Sequence, residues 1–182
     1  TVSAQAAAFM AGLLGLPNAA ALSDLAQSVP DSGGVTFVPA LAGLGAPHWN
    51  DAARGTVAGM THATTPAHLA RATFEAIAHQ IADVLEAMEA DIGQPLVALS
   101  ADGGASGNGF LMQLQADLTG RAVLASSVEE IGALGVAGMA MAALGRALPP
   151  GPDARRFTPR LEPDARAQAR ARWSAAVAKA KA

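Results

Sequence analysis

Along the chain, hydrophobic positions fall into helical spacing in some stretches and short continuous runs in others, and glycine or proline marks most of the changes. Val2 to Leu14 has no proline and is dominated by Ala, Leu, Met and Phe, which predicts a buried helix closed by Gly15 and Pro17. Asn18 to Ser28 predicts a shorter second helix. Asp31-Ser-Gly-Gly34 is a turn cluster, and the β-branched and aromatic run Val35-Thr-Phe-Val38 after it predicts a buried strand ended by Pro39. Ala40 to Asn50 has neither period, so Gly43, Gly45 and Pro47 shape it as a loop; Arg54 to Thr61 predicts a second strand. A long helix follows from Pro66 to about Ile92, with Thr64 or Thr65 as its cap. Phe74, Ile77, Ile81, Val84, Leu85 and Met88 form its apolar stripe, while Leu69, Ala72, Ala76, His79 and Asp83 share another side. Gly93 and Pro95 stop it.

The second half reads as strand, glycine-rich turn, helix, strand, helix. Leu96 to Ala101 runs into Asp102-Gly-Gly-Ala-Ser-Gly-Asn-Gly109, Phe110 to Leu118 resumes helical spacing, and Arg121 to Ala125 is a further strand. A helix from about Glu129 to Leu144, a Pro149-Pro-Gly-Pro152 linker and an amphipathic helix from Leu161 to Lys181 complete the chain. This alternation predicts an α/β architecture with parallel strand pairing. Nothing repeats at a fixed period.

Composition narrows the function classes. With 51% hydrophobic and 15% charged residues the 182-residue chain is globular, and 46 alanines imply helices packed closely together. A net charge of −3 gives no field to attract nucleic acid, and the absence of cysteine removes disulfides, thiolate metal sites and cysteine nucleophiles. The same absence of cysteine fits a reducing compartment, so the cytoplasm is the expected location, and no segment has the length and flanks of a membrane span. The first residues lack an initiating Met and start within a helical pattern, which reads as a fragment of a longer protein.

The strongest chemical signal is Asp102 to Asn108, where a strand end meets a helix start across successive glycines. Amides there lack internal partners, the helix dipole favours negative charge, and glycine admits a ligand to the backbone, so the turn suits phosphate. Asn108 adds a side chain that both donates and accepts. A turn with a purely structural role is the competing account. Neither G-x-x-x-x-G-K-[ST] nor G-x-G-x-x-G is present. Two further segments are candidates: Ile131 to Gly138, whose glycines at 132, 135 and 138 bare one helix face for a flat ring or for tight helix packing, and Gly43 to Trp49, from which His48 and Trp49 project. The histidines at 48, 62, 68 and 79 lack metal-ligand spacing and read as caps and core-edge residues. No carboxylate stands out as a general base; Asp102 would hold water or Mg²⁺, or bond the turn amides.

Taken together, Phe37-Val-Pro-Ala-Leu-Ala-Gly-Leu-Gly-Ala-Pro-His-Trp49, Ala53-Arg-Gly55 and Asp102-Gly-Gly104 resemble the C-terminal half of the glycerol kinases, within the FGGY family of carbohydrate kinases. His68-Leu-Ala-Arg-Ala-Thr-Phe-Glu75 is similar to the family's second signature, and Phe110 to Gly120 and Ala133-Leu-Gly135 continue the likeness in order. The resemblance implies an actin-like, ribonuclease-H-like ATPase domain with a mixed sheet flanked by helices, one of two lobes that close on ATP, Mg²⁺ and a sugar or polyol. It implies Gly103, Gly104 and Asn108 as the nucleotide-binding residues, with Ala133-Leu-Gly135 walling the adenine. The family's catalytic Asp lies in a Gly-Asp-Gln segment absent here, so neither a catalytic residue nor a metal site is expected in this chain. A nucleotide-contacting Gly and a Gln-Trp pair of the family are also unmatched around Ala4, Ala8 and Phe9.

The reading is therefore a helical segment over 1–34 continuing from a missing first lobe, the ATPase-like domain over 35–148, and a linker and helix of that domain over 149–182. The activity implied is transfer of the ATP γ-phosphoryl group to a polyol or sugar, glycerol first, a pentulose such as xylulose second. The partners are that substrate and the missing lobe, with homo-oligomers common in the family. A non-catalytic ATPase-fold module and a dinucleotide-binding protein are the alternatives.

Overall fold

The computed structural model describes residues 2–128, 130–147 and 153–182; Glu129 and the Pro149–Pro152 linker named above lie outside them. The helices are α1 (Val2–Leu13), α2 (Ala19–Gln27), α3 (Pro66–Ile92), α4 (Gly109–Thr119), α5 (Ile131–Ala143) and α6 (Pro163–Ala180). The strands are β1 (Thr36–Val38), β2 (Thr56–Ala58), β3 (Ala98–Ala101), β4 (Ala122–Ala125) and β5 (Arg155–Phe157). β1 and β2 form an antiparallel pair; β3 and β4 are parallel, as the alternation predicts, and β4 pairs antiparallel with β5 to give a mixed three-stranded sheet.

α3 is the spine. Thr65 caps it, with His68 Nδ1 accepting the Thr65 N–H at 3.0 Å, while Thr64 Oγ1 instead accepts the Thr61 N–H. Gly93, at φ 69°, ends it in the left-handed region. α1, α2, α4, α6 and β1 all pack against it. Its buried face includes Ala67, Ala70, Ala72, Ala76, Ala78 and Ala82, whose short side chains let those neighbours come close, and Phe74, Ile77 and Leu85 fill the gaps. The expected stripe fades toward the C-terminal end: Ile81 and Val84 are half-buried, and Met88 is exposed. Glu89 joins that end to the sheet, accepting the Leu96 N–H at 2.8 Å and pairing with Arg121 at 3.0 Å. The Leu96 amide, followed by Arg121, holds its carboxyl below the usual range.

A polar cluster ties α6 down. The Asp83 carboxylate, buried on α3, accepts Trp173 Nε1–H at 2.8 Å, bonds His48 Nε2 at 3.0 Å and pairs with Arg170. Arg170 also reaches Glu86 and donates to the His79 carbonyl and Nδ1. The His79 ring stacks on Trp173 with centroids 5.1 Å apart. Burial, reinforced by Arg170, lowers the His79 pKa to about 3, so the imidazole is neutral.

Two elements differ from expectation. β5 falls where sequence shows only an irregular stretch; with three mostly exposed residues, two of them Arg, it has no hydrophobic alternation to reveal it. α5 forms, but none of its residues is buried, so the tight packing that its glycines permit is not realised among the described residues.

Removing one partner of a buried ionic cluster leaves the others uncompensated, so Asp83→Ala is expected to lower unfolding free energy by about 3 kcal/mol in urea denaturation. His79 yields a pH prediction. The unfolded histidine takes up a proton near pH 6.5 and the folded one only near 3, so its contribution to stability is full above that window and is lost as pH falls through it. His79→Phe, which keeps the stack but cannot titrate, should make the pH dependence of stability shallower by up to about 1.4 kcal/mol per pH unit between about pH 6 and about pH 4.5.

Candidate functional site

The turn between β3 and α4 binds its carbonyls internally and leaves several of its amides without a partner among the described residues. Gly103 adopts φ 76°, a conformation open to glycine, and Gly104–Gly107 then form one 3-10 turn before Asn108 opens α4. The carbonyls are held from within. Gly103 C=O accepts both the Ser106 N–H, at 3.0 Å, and the Ser106 hydroxyl, at 2.8 Å, and Ala105 C=O accepts the Asn108 N–H at 3.1 Å. Ser106 is buried beneath, and its own carbonyl accepts Arg155 NH2 at 2.8 Å. The amides of Gly103, Gly104 and Ala105 have no acceptor among the described residues. The cradle is narrower than the sequence suggests: of the span 102–108, Ser106 and Asn108 spend their amides internally.

Gly104 and Ala105 are exposed and Gly103 is half-buried. A Cβ built at Gly103, Gly104 or Gly107 would meet nothing within 4 Å, so packing does not explain why residues 104 and 107 lack side chains. Only at Gly103 does backbone geometry require glycine. Asp102 is exposed and accepts no hydrogen bond from the turn amides, so the reading of it as a turn-bonding Asx residue is not realised among the described residues.

Asn108 is half-buried and already engaged. Its Oδ1 accepts the Leu111 N–H at 3.1 Å as the α4 cap, and its Nδ2 donates to Ser23 Oγ on α2 at 3.0 Å, where Gln27 Nε2 also donates at 3.4 Å. An amide carries two N–H groups and two oxygen lone pairs, so each end of Asn108 keeps one valence for a ligand. A cavity of about 360 Å³ lies beside it, lined in part by Ser23, Asp24, Gln27 and Gly107. Gly103, Gly104 and Asn108 are thus brought to one exposed edge. Ser23 and Arg155 escaped the sequence reading because their relation to the turn spans 85 and 49 positions.

The other candidates separate from this edge. His68 is a helix cap and His79 a core residue, as their spacing suggests. His48 anchors its loop to Asp83, and the neighbouring Trp49, at φ 46°, projects outward with 80% of its surface exposed. A second cavity, about 510 Å³, is lined by α3, α4, α6 and the residues around β1, including His79 and Trp173.

Comparison with known proteins now bears on this edge. Residues 3–144 match the model of the FGGY family of carbohydrate kinases, C-terminal domain. Among curated relatives, a glycerol kinase of Trichlorobacter lovleyi is 50% identical over 163 residues, covering 86% of this chain and 33% of that protein. A glycerol kinase of Mycobacterium tuberculosis is 45% identical over 183 residues, covering 97% and 35%. Among solved structures, Plasmodium falciparum glycerol kinase with ADP superposes with a TM-score of 0.81 at 27% identity, covering 94% of this chain and 36% of that one. A xyloylose kinase from Brucella ovis gives 0.83 at 25% identity, covering 97% and 38%. The chain therefore spans about a third of the length of the proteins it matches. Its mixed sheet and flanking helices are the actin-like ATPase architecture of these kinases. On the family match and on identities near one half, the chain belongs to the FGGY family of carbohydrate kinases and carries its C-terminal domain.

Proposed function

We propose that these residues form the nucleotide-binding lobe of an ATP-dependent kinase that phosphorylates a polyol or sugar hydroxyl, with glycerol as the first candidate. The observation that carries the reading is the run of three amides at Gly103, Gly104 and Ala105 that have no acceptor among the described residues, in a turn whose carbonyls are braced by Ser106 and Arg155. Such a run offers hydrogen-bond donors to phosphate oxygens without any lysine. Gly103, Gly104 and Asn108 are the binding residues in this reading. Identities near 50% to glycerol kinases favour glycerol over the pentuloses suggested by the xylulose kinase structures.

The chemistry divides between what the chain holds and what it lacks. ATP, when bound, supplies the γ-phosphoryl group. The turn amides would orient the phosphates, and the α4 N-terminus, with Gly109 and Phe110 in its first turn, adds the positive end of its dipole. No group of three or more His, Asp or Glu side chains among the described residues is arranged to hold a metal. Mg²⁺ in nucleotide sites is held by phosphate oxygens, waters and one or two carboxylates, and the exposed Asp102 would be the side chain to meet it. The Gly-Asp-Gln segment that would carry the base for the acceptor hydroxyl is absent from these residues, and in this reading that role falls to the first lobe. α5 supports the same division. It carries no charged side chain, yet Val136 and Met139 are 68% and 76% exposed, an apolar surface suited to cover by protein beyond these residues. The division into 1–34, 35–148 and 149–182, and a cytoplasmic location, belong to this reading. No helix among the described residues is long and apolar enough to cross a membrane.

Calorimetric titration should show Mg·ATP binding in preference to NAD. Gly104→Val, whose side chain enters open space and leaves the circular dichroism spectrum unchanged, should abolish that binding; unchanged affinity would reject the turn as the site. In a coupled phosphoryl-transfer assay with glycerol or xylulose the 182-residue chain alone should show no turnover. Turnover would place the missing base within it.

A further inference from the structure

We propose that Arg155 on β5 is the positioning residue of the nucleotide turn, holding its carbonyls so that the amides face the phosphates. The proposal rests on the reading above and adds to it a residue 51 positions beyond Gly104 in the chain. Arg155 lies opposite Ala125 in the β4–β5 pairing, and its NH2 group donates to Ser106 C=O at 2.8 Å and to Gly107 C=O at 3.3 Å. A carbonyl shares its peptide plane with the next residue's N–H, so these bonds fix the planes carrying the Gly107 and Asn108 amides directly; through Ser106, whose N–H and hydroxyl hold Gly103 C=O, they also brace the plane that carries the Gly104 N–H.

Two features make this more than a surface contact. Arg155 pairs with no carboxylate among the described residues, so its charge is met by carbonyl dipoles and the Phe157 ring rather than by an anion. An uncompensated guanidinium beside free amides adds a favourable field for an anion. β5 also supports the turn at a second point. The Arg155 guanidinium lies 5.7 Å from the Phe157 ring centroid, and that ring stands 3.7 Å from where a Cβ at Gly109 would be, under the first residue of α4. The three-residue strand thus braces both the turn and the helix start, and this gives a function to an element that sequence spacing did not disclose.

The test uses the full chain with Arg155→Met and Arg155→Lys, both at an exposed position. Mg·ATP and adenosine affinities are measured by titration, and backbone ¹⁵N order parameters for residues 103–107 are measured without nucleotide. Arg155→Met should weaken Mg·ATP about tenfold, in line with loss of a charge-assisted hydrogen bond, while adenosine affinity stays within about twofold. The order parameters at 104–107 should fall, and Arg155→Lys should recover part of both losses. Equal losses for Mg·ATP and adenosine, or wild-type values for both, would overturn the proposal. Should the unmutated chain bind no nucleotide, the functional reading and the phosphate-facing role of Arg155 both fail. Order parameters unchanged by Arg155→Met would separately refute its hold on the turn.

Discussion

Close approach to α3 is the constraint on which the rest of the structure depends. Four helices and β1 share one 27-residue helix, which is possible only because so much of its surface ends at a β-carbon. Replacing Ala70 or Ala78, both fully buried, by a larger side chain would push a neighbouring element away instead of filling a gap. At one end the alanine packing gives way to the Asp83 cluster, where hydrogen bonds from Trp173 and Arg170 fix α6, and the His48 bond fixes the loop before β2. The fold is thus held by small apolar contacts along its spine and by one buried carboxylate that draws two distant segments together.

That arrangement delivers the turn at 102–108 as a braced edge. Ser23 on α2 holds Asn108, Ser106 holds Gly103, and Arg155 holds the carbonyls of Ser106 and Gly107. Elements that meet on α3 or in the mixed sheet therefore converge on one short segment whose amides are left over. A backbone set in advance loses little conformational entropy when an anion binds, which is the physical advantage of building such a site from peptide groups rather than long side chains.

Much of this was legible in the sequence because local chemistry decides it. Pro66 after a threonine, Gly93 at the end of the apolar spacing, and the glycines after Ala101 each impose a backbone geometry that tertiary packing does not override. What escaped was non-local. Nothing in Arg155-Arg-Phe157 marks a strand, because its pairing with β4 and its bonds to the turn come from residues distant in the chain. The same holds for Ser23, which sits on a helix face like any small residue until α4 brings Asn108 to it. Gly132 and Gly135 are a different case: their spacing suits either tight helix packing or a flat ring, and among the described residues no helix packs there. The width of the cradle was overstated because glycine content says which amides can face a ligand but not which are already bonded to carbonyls.

The central claim is that the amides of Gly103, Gly104 and Ala105 receive the phosphates of a nucleotide. The most direct measurement is a ¹⁵N–¹H correlation titration of the chain with Mg·ATP, following every backbone amide. The account predicts that those three resonances shift furthest and saturate together, while Ser106 and Asn108, whose N–H groups are bonded internally, move less. A saturable shift confined instead to the cavity between α3 and α6, or no movement at residues 103–105, would contradict it.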